Sequence, residues 1–205
     1  MKNTFILNLV HRPELAPEYA EKITGQGQHE NIAKKDLRDE SLEIFKLQQS
    51  IAHKNGLKTT IQMTYASLFS EEAVRLAKED HEKYGDEIGL TLLGLPCKEF
   101  REKYKTKDFC IWMFSWKDKV EIVKDVFELF KEKFGSYPQS TGSYYMDAEL
   151  INYIKSQYPS VVSAIATCWE EGPKAYHTCN NSWYTFMDGG PWNPWIPSKQ
   201  NSAAP

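Results

Sequence analysis

The sequence predicts an α/β protein in which strands and helices alternate, arranged as a (β/α) barrel of irregular or incomplete form. Apolar runs of strand length alternate with amphipathic segments of helix length, and glycine or proline separates them. No strand is followed by a GxGxxG or GxxxxGK[ST] loop, which favours a barrel over a doubly wound, nucleotide-binding sheet. A full barrel has about 250 residues. We therefore expect one barrel-like domain over 1–205, as the N-terminal part of a longer protein.

The first strand is predicted over 4–10, an apolar run that is followed by Pro13. The segment 16–36 is polar, contains glycines and shows no clear period, so a long loop is expected there. A helix over 39–55 follows, with Gly56 at the position that commonly ends a helix. Its apolar residues at helical spacing are Leu42, Phe45, Ile51 and Ala52.

The middle of the chain repeats this alternation. A β-branched, alternating run predicts a strand over 57–64, and Ser70 is the expected N-cap of a helix that ends near Gly85. A strand over 87–93 comes next, then a short helix over 98–105. The strongest helical pattern covers 116–134 and ends at a glycine.

The last third of the chain continues the series with weaker signals. A short strand over 139–142, a helix over 146–158 and a strand over 161–167 are predicted. A further strand is possible over 183–187, before a tail rich in glycine, proline and tryptophan.

Composition excludes some functional classes. The formal net charge is −3 and no run of Lys or Arg occurs, which argues against nucleic-acid binding. No segment reaches the ~20 apolar residues of a membrane helix, and no signal peptide is recognisable. We expect a cytoplasmic protein as the sequence stands, or a secreted or periplasmic one if a signal segment was removed. The oligomeric state is not predicted.

The four cysteines do not resemble a disulfide framework or a zinc motif. None forms a CxxC pair, although Cys168, His177 and Cys179 lie close in sequence. Free cysteines are often small core residues, and that is the interpretation we prefer. No cofactor is predicted, and a divalent metal remains an open alternative.

Polar residues at the carboxyl ends of the predicted strands are the candidates for chemistry, because parallel α/β folds bind ligands there. His11 ends the first strand, Asp147 follows the fourth, and Glu170 follows the fifth. Two carboxylates and a histidine suit general acid/base hydrolysis, so these three are the predicted catalytic residues. Asp147 could instead only cap the following helix.

Aromatic residues near the predicted strand ends are candidates for substrate binding. Several lie among glycines and prolines rather than on an amphipathic stripe, and flat aromatic faces suit sugar rings. They could equally fold over the core as a lid. The predicted carbohydrate-binding residues are Trp112, Tyr144, Tyr145, Trp183, Trp192 and Trp195.

Three stretches resemble polysaccharide deacetylases of the NodB type, in the glycoside hydrolase/deacetylase barrel superfamily. Residues 85–91 (GDEIGLT) resemble the GHEIGxH signature of that family. The segment 134–147 (FGSYPQSTGSYYMD) resembles the region of its third motif, and His11 matches its first motif position. The tail 189–199 (GGPWNPWIPSK) resembles a bacterial branch of the same superfamily. The resemblance implies a (β/α) barrel that acts on carbohydrate.

The metal ligands of that family are not matched. Thr91 and Leu95 stand where the family has the two histidines of HxxxH, and no Asp-Asp pair follows the first strand. Three interpretations remain open: a carbohydrate hydrolase that works through carboxylates and His11, a carbohydrate-binding barrel without catalysis, and a metal-dependent deacetylase with displaced ligands. In the last case His11, Asp147 and His177 are the expected ligands.

Overall fold

The computed structural model describes residues 9–13, 42–92, 97–105, 111–143 and 146–166. These residues form an α/β structure with a five-stranded parallel sheet and five α-helices. The predicted α/β class is therefore confirmed. Within the described ranges, each helix is too short or too polar to cross a bilayer.

Strands and helices alternate along the chain as predicted. The strands are β1 Val10–His11, β2 Thr60–Met63, β3 Glu87–Thr91, β4 Ser140–Ser143 and β5 Ser163–Ala166. The helices are α1 Glu43–Lys54, α2 Glu71–Tyr84, α3 Lys98–Tyr104, α4 Trp116–Phe134 and α5 Ala148–Gln157. The predicted loop over 16–36 and strand over 183–187 lie outside the described residues, as does most of the first predicted strand.

The strands lie in the sheet in chain order, β1-β2-β3-β4-β5, and every neighbouring pair is parallel. This order differs from that of a doubly wound sheet, in which the strand order reverses at a switch point. Here each strand lies beside the one that precedes it in the chain, and the order does not reverse.

The residues that the sequence predicts as helix caps do cap the helices α1 and α2. Ser70 accepts a hydrogen bond from the backbone N–H of Ala73 and caps α2, as predicted. The α1 helix ends in a Schellman motif, in which the N–H of Gly56 bonds to the carbonyl of His53 and the N–H of Leu57 to that of Ala52. Gly56 has a φ of +67°, which favours glycine.

Four of the five α-helices form one continuous layer. His53 of α1 stacks on Tyr84 of α2, with ring centroids 3.6 Å apart. The ammonium of Lys78 in α2 lies over the ring of Phe134 in α4. Phe127 of α4 in turn stacks on the residue that follows α5, Tyr158. The helix layer therefore runs from α1 through α2 and α4 to α5, in chain order like the strands.

The core lies between this layer and one face of the sheet, and it includes Phe45 of α1, Ile61 and Met63 of β2, Leu90 of β3 and Phe127 of α4. Cys97 is fully buried there, as expected for a cysteine that serves as a small core residue. Burial of this apolar surface is the main stabilising contribution to such a fold.

Candidate functional site

The two faces of the sheet differ in chemistry. The register pairs His11 with Ile61, Ile61 with Ile88 and Met63 with Leu90, so these side chains share one face. His11 bonds to Gln49 of α1, which identifies that face as the one covered by helices. The opposite face carries polar residues and glycines, because polar and apolar residues alternate along β2 and β3.

The polar face is tied together across three strands. Gln62 of β2 donates from its amide to the Ser140 hydroxyl of β4 over 3.3 Å, reaching past β3 between them. The residue of β3 at this point is Gly89, where a Cβ would lie 2.4 Å from Ser140 Oγ and 2.7 Å from Gln62 Nε2. A glycine at position 89 is therefore needed for the two polar side chains to meet.

This polar face is buried towards the carboxyl ends of the strands. Gln62, Thr91 and Ser140 are each 2% exposed, and the Thr91 hydroxyl donates to the carbonyl of Gly142 on β4. A parallel sheet buried on both faces is commonly apolar on both. A buried face of amides, hydroxyls and glycines is thus an unusual feature, and we treat it as part of the candidate site.

The turn after β2 lies at the same edge. The Ser67 backbone N–H donates to Thr64 Oγ1, and the Ser67 hydroxyl accepts from the N–H of Thr64 at 2.8 Å. These reciprocal bonds hold the start of the 3₁₀ turn Ala66–Phe69 against the end of the strand.

Asp147 lies where the fourth strand leads into α5. It is the N-cap of α5 and accepts a 2.8 Å bond from the backbone N–H of Leu150. Its other oxygen accepts from the ammonium of Lys119 in α4 at 2.7 Å, and 43% of its side chain is exposed. The capping role considered for Asp147 is confirmed, and its carboxylate also remains open to solvent at the carboxyl edge.

His11 lies in a different environment from Asp147. Its Nδ1 is 2.5 Å from Gln49 Oε1, on the helix-covered face. The strands β2 and β3 separate β1 from β4, which corresponds to about 14 Å at standard strand spacing. In the described part of the chain, the two predicted catalytic residues have different bonding partners.

The remaining predicted site residues cannot be placed beside these two. Trp112 lies in the 3₁₀ turn Ile111–Met113, but its side chain is outside the described set. Wholly outside the described residues are Tyr144, Tyr145, Glu170, His177, Trp183, Trp192 and Trp195.

A second polar cluster, which the sequence did not reveal, surrounds Asp86 at the amino ends of β2 and β3. Asp86 is 0% exposed. Its carboxylate accepts from the backbone N–H of Thr59 at 2.8 Å and from Gln49 Nε2 at 3.0 Å, and it lies 2.7 Å from His53 Nε2. His81 Nδ1 lies 2.6 Å from the carbonyl of Asp86. The cluster joins α1, α2 and the sheet.

Three groups of this cluster have the chemistry of metal ligands. One ligand atom each from His53, Asp80 and Asp86 lies within 4.8 Å of the others. The amide of Gln49, however, donates to Asp80 Oδ2 and Asp86 Oδ2, both at 3.0 Å, and so lies between the carboxylates. Its orientation is fixed because Gln49 Oε1 accepts from Thr59 Oγ1. The Gln49 amide therefore stands where a cation between the two carboxylates would lie, and it already pairs with both of them.

No sequence pattern pointed to this cluster, because its members are far apart along the chain. Gln49 and Asp86 are 37 residues apart, and His53 and Asp86 are 33 residues apart. The available signal was Asp86 itself, a carboxylate between the helix-ending Gly85 and an apolar strand. A charged residue at such a position requires donors when it becomes buried.

Tyrosines near a pocket beside α4 carry the clearest shifts in ionisation. The pocket has a volume of about 590 Å³ and is lined by Tyr65, Lys103 and Asp125, among others. Burial is the main cause that raises the pKa of Tyr65 above its usual range. Burial and the hydrogen bond to Asp125 raise the pKa of Tyr104 in the same direction. Both phenols are neutral at physiological pH, and the Tyr104 hydroxyl donates to the Asp125 carboxylate.

Comparisons with known proteins do not assign the chain to a family. No family model, no curated protein and no solved structure matches it.

Proposed function

We propose that this protein is a carbohydrate-active hydrolase that works at the carboxyl edge of a sheet curled into a (β/α) barrel. Strand order supports the barrel, because successive right-handed crossovers in one direction place all helices on one side of a parallel sheet. Closure of such a sheet encloses its other face. In such a barrel, the enclosed face of this sheet would be the polar one.

The observation that carries the proposal is the buried polar face beneath the carboxyl edge. Gln62, Thr91 and Ser140 supply amide and hydroxyl groups, which are the partners that sugar hydroxyls use. A lining of this kind suits a neutral, hydroxyl-rich ligand better than an apolar or strongly anionic one. It agrees with the carbohydrate substrate class that the resemblance implies.

Asp147 is the described residue best placed for acid/base chemistry. Its backbone position is fixed by the start of α5, and Lys119 orients its carboxylate. An exposed, fixed carboxylate at a strand end can serve as a general base or nucleophile in hydrolysis. Glu170 remains the proposed second carboxylate, whereas His11, on the helix-covered face three strands from β4, stays a prediction without a part in this mechanism.

A carbohydrate-binding barrel without catalysis is the second candidate. The observation that favours it is that capping α5 and pairing with Lys119 already account for Asp147 structurally. The metal-dependent alternative with His11, Asp147 and His177 as ligands stays a prediction. Among the described residues, the side chains with metal-ligating atoms that lie close together are instead His53, Asp80 and Asp86.

Turnover of a polysaccharide panel by wild type and Asp147→Asn tests the proposal. Asparagine is also a good N-cap, so the variant removes the charge and keeps the helix start. We expect saccharide binding to persist and the rate of product release to fall about 10²–10⁴-fold. Glu79→Gln is the matched control, since it removes an exposed carboxylate that pairs with Arg75 in α2.

The outcomes separate the candidates. Binding by wild type without turnover supports the carbohydrate-binding barrel. Equal turnover by wild type and Asp147→Asn excludes Asp147 as the catalytic carboxylate. Loss of turnover in Glu79→Gln as well as in Asp147→Asn would mean that the assay reports general damage instead of chemistry.

A further inference from the structure

The outer surface of α1 carries an exposed apolar stripe. Ile44, Leu47 and Ile51 are 37%, 59% and 54% exposed, and they follow one another at spacings of three and four residues. At 3.6 residues per turn, they fall within about 60° around the helix axis. The core-facing residues of the same helix are Phe45, Gln49 and Ala52. The helix is therefore apolar on two separate faces, of which the described residues cover one.

Spacing of this kind is typical of a helix that packs against another helix. Residues three and four apart form the seam of paired helices, where each side chain fits between residues of the facing helix. The stripe is also symmetric about its middle, with an isoleucine on either side of Leu47. Two antiparallel copies of α1 would place Ile44 of one protomer opposite Ile51 of its partner, with the two Leu47 side chains near the axis.

The charges beside the stripe fit the same arrangement. Glu43 and Lys54 lie at opposite ends of α1, and eleven residues separate them, so they are about 20° apart around the axis. They therefore flank the stripe on the same side. Glu43 pairs with Lys46 of its own helix at 3.3 Å. In an antiparallel pair with Ile44 opposite Ile51, it also lies about 3 Å along the axis from Lys54 of the partner protomer, and the two-fold axis makes this approach twice. A parallel pair would place these flanks on opposite sides of the seam, so Glu43 and Lys54 would lack this contact.

We infer that the stripe formed by Ile44, Leu47 and Ile51 is a homodimer interface, occupied by α1 of a second copy in antiparallel orientation. The orientation of α1 in each protomer is fixed, because Lys46 pairs with Glu72 of α2 at 2.8 Å and His53 stacks on Tyr84. A twelve-residue helix is about 18 Å long. Such a contact is smaller than a standard interface, so the dimer is weak and dependent on concentration.

Sedimentation velocity of the full chain over a wide concentration range tests this inference. Wild type is expected to shift from monomer to dimer as concentration rises. Leu47→Glu places a charge at the centre of the stripe and is expected to weaken the dimer at least about tenfold. Gln157→Glu is the matched control, because it adds the same charge at an exposed position of another helix, α5.

Charge reversal tests the antiparallel orientation. Glu43→Lys alone and Lys54→Glu alone should each weaken association, and the double variant should restore it, because the two opposite charges then meet again in exchanged positions. These positions are exposed, so all the variants are expected to fold. A wild type that is monomeric at every concentration overturns the inference. So does a dimer whose strength is the same in Leu47→Glu and in Gln157→Glu.

Discussion

Replacement of Asp86 by asparagine tests whether the buried cluster stabilises the fold. The asparagine side chain keeps an oxygen for the N–H of Thr59 but presents an NH₂ group where Asp86 Oδ2 accepted from Gln49. The Gln49 amide cannot rotate to accept instead, since its oxygen already faces Thr59 Oγ1 and His11 Nδ1. His53 can adapt by changing tautomer. The change therefore costs a charge-assisted hydrogen bond and leaves one buried donor unpaired.

The magnitude follows from these two losses. A hydrogen bond to a charged group contributes about 1.5–3 kcal/mol, and a buried unpaired donor costs about 1–3 kcal/mol. The two ranges add up to about 2.5–6 kcal/mol, so we expect Asp86→Asn to lower the free energy of unfolding by about 3–5 kcal/mol. With a slope of about 2 kcal/mol per molar urea, the unfolding midpoint falls by about 1.5–2.5 M.

Equilibrium urea unfolding, followed by far-UV circular dichroism, measures this effect. Asp80→Asn is the matched control within the same cluster, because Asp80 is only partly buried and accepts one bond from Gln49. We expect it to cost about 1 kcal/mol. Equal midpoints for wild type and Asp86→Asn would refute the reasoning, and so would a larger loss in Asp80→Asn.

Further variants and conditions test separate parts of the structure. Gly89→Ala should lower the free energy of unfolding by about 1–3 kcal/mol, because its Cβ would lie 2.4 Å from Ser140 Oγ; a wild-type midpoint would show that the polar face is looser than described. Gly135→Ala has open space around its Cβ but a φ of +82°, so we expect only a backbone cost of about 1 kcal/mol in the same assay. Asp147→Ala should lose about 1 kcal/mol of stability through the N-cap, whereas Asp147→Asn should lose a few tenths at most; equal losses in thermal unfolding would contradict the capping role. Burial raises the pKa of Tyr65 and of Tyr158 above that of an unfolded tyrosine, about 10. The stability that these neutral phenols contribute is therefore fully present below about pH 10 and is lost as the pH rises beyond it, because the unfolded chain then releases protons more readily. Urea midpoints at rising pH, with phenolate absorbance recorded in parallel, measure this loss, and a midpoint that stays constant above about pH 10 would contradict it.

The alternation of strands and helices could be predicted because its signals are local. The pattern over 116–134 identified α4, since one apolar face and a terminal glycine define a long helix without help from the rest of the chain. Gly56, Ser70 and Gly135 marked helix ends for the same reason. Capping depends on the residues of one turn, which lie next to one another in sequence.

The environment of each side chain was harder to predict. In α1 the residues at helical spacing included both Phe45, which is buried, and Ile51, which is exposed. Periodicity locates an apolar face but does not tell which of two such faces the sheet covers. The pairing of His11 with Gln49 depends on the packing of α1 against β1, and 38 residues separate the two.

The candidate site likewise has one part that local sequence signals predicted and one part that they did not. Asp147 was found because it follows a strand and precedes a helix, two features that the sequence shows directly. The polar face was not found, because Gln62 and Ser140 become neighbours only when β2, β3 and β4 align in register. Alternation of polar and apolar residues in β2 and β3 was the available signal, and it could have identified the second face as polar.

The most direct test of the proposed function is to incubate the wild-type protein with a panel of polysaccharides and to measure both binding and the release of reducing ends or acetate. The account predicts saturable binding of at least one polysaccharide, with product formed in proportion to enzyme concentration. Absence of both binding and product across neutral and acetylated polysaccharides would contradict the assignment to carbohydrate chemistry.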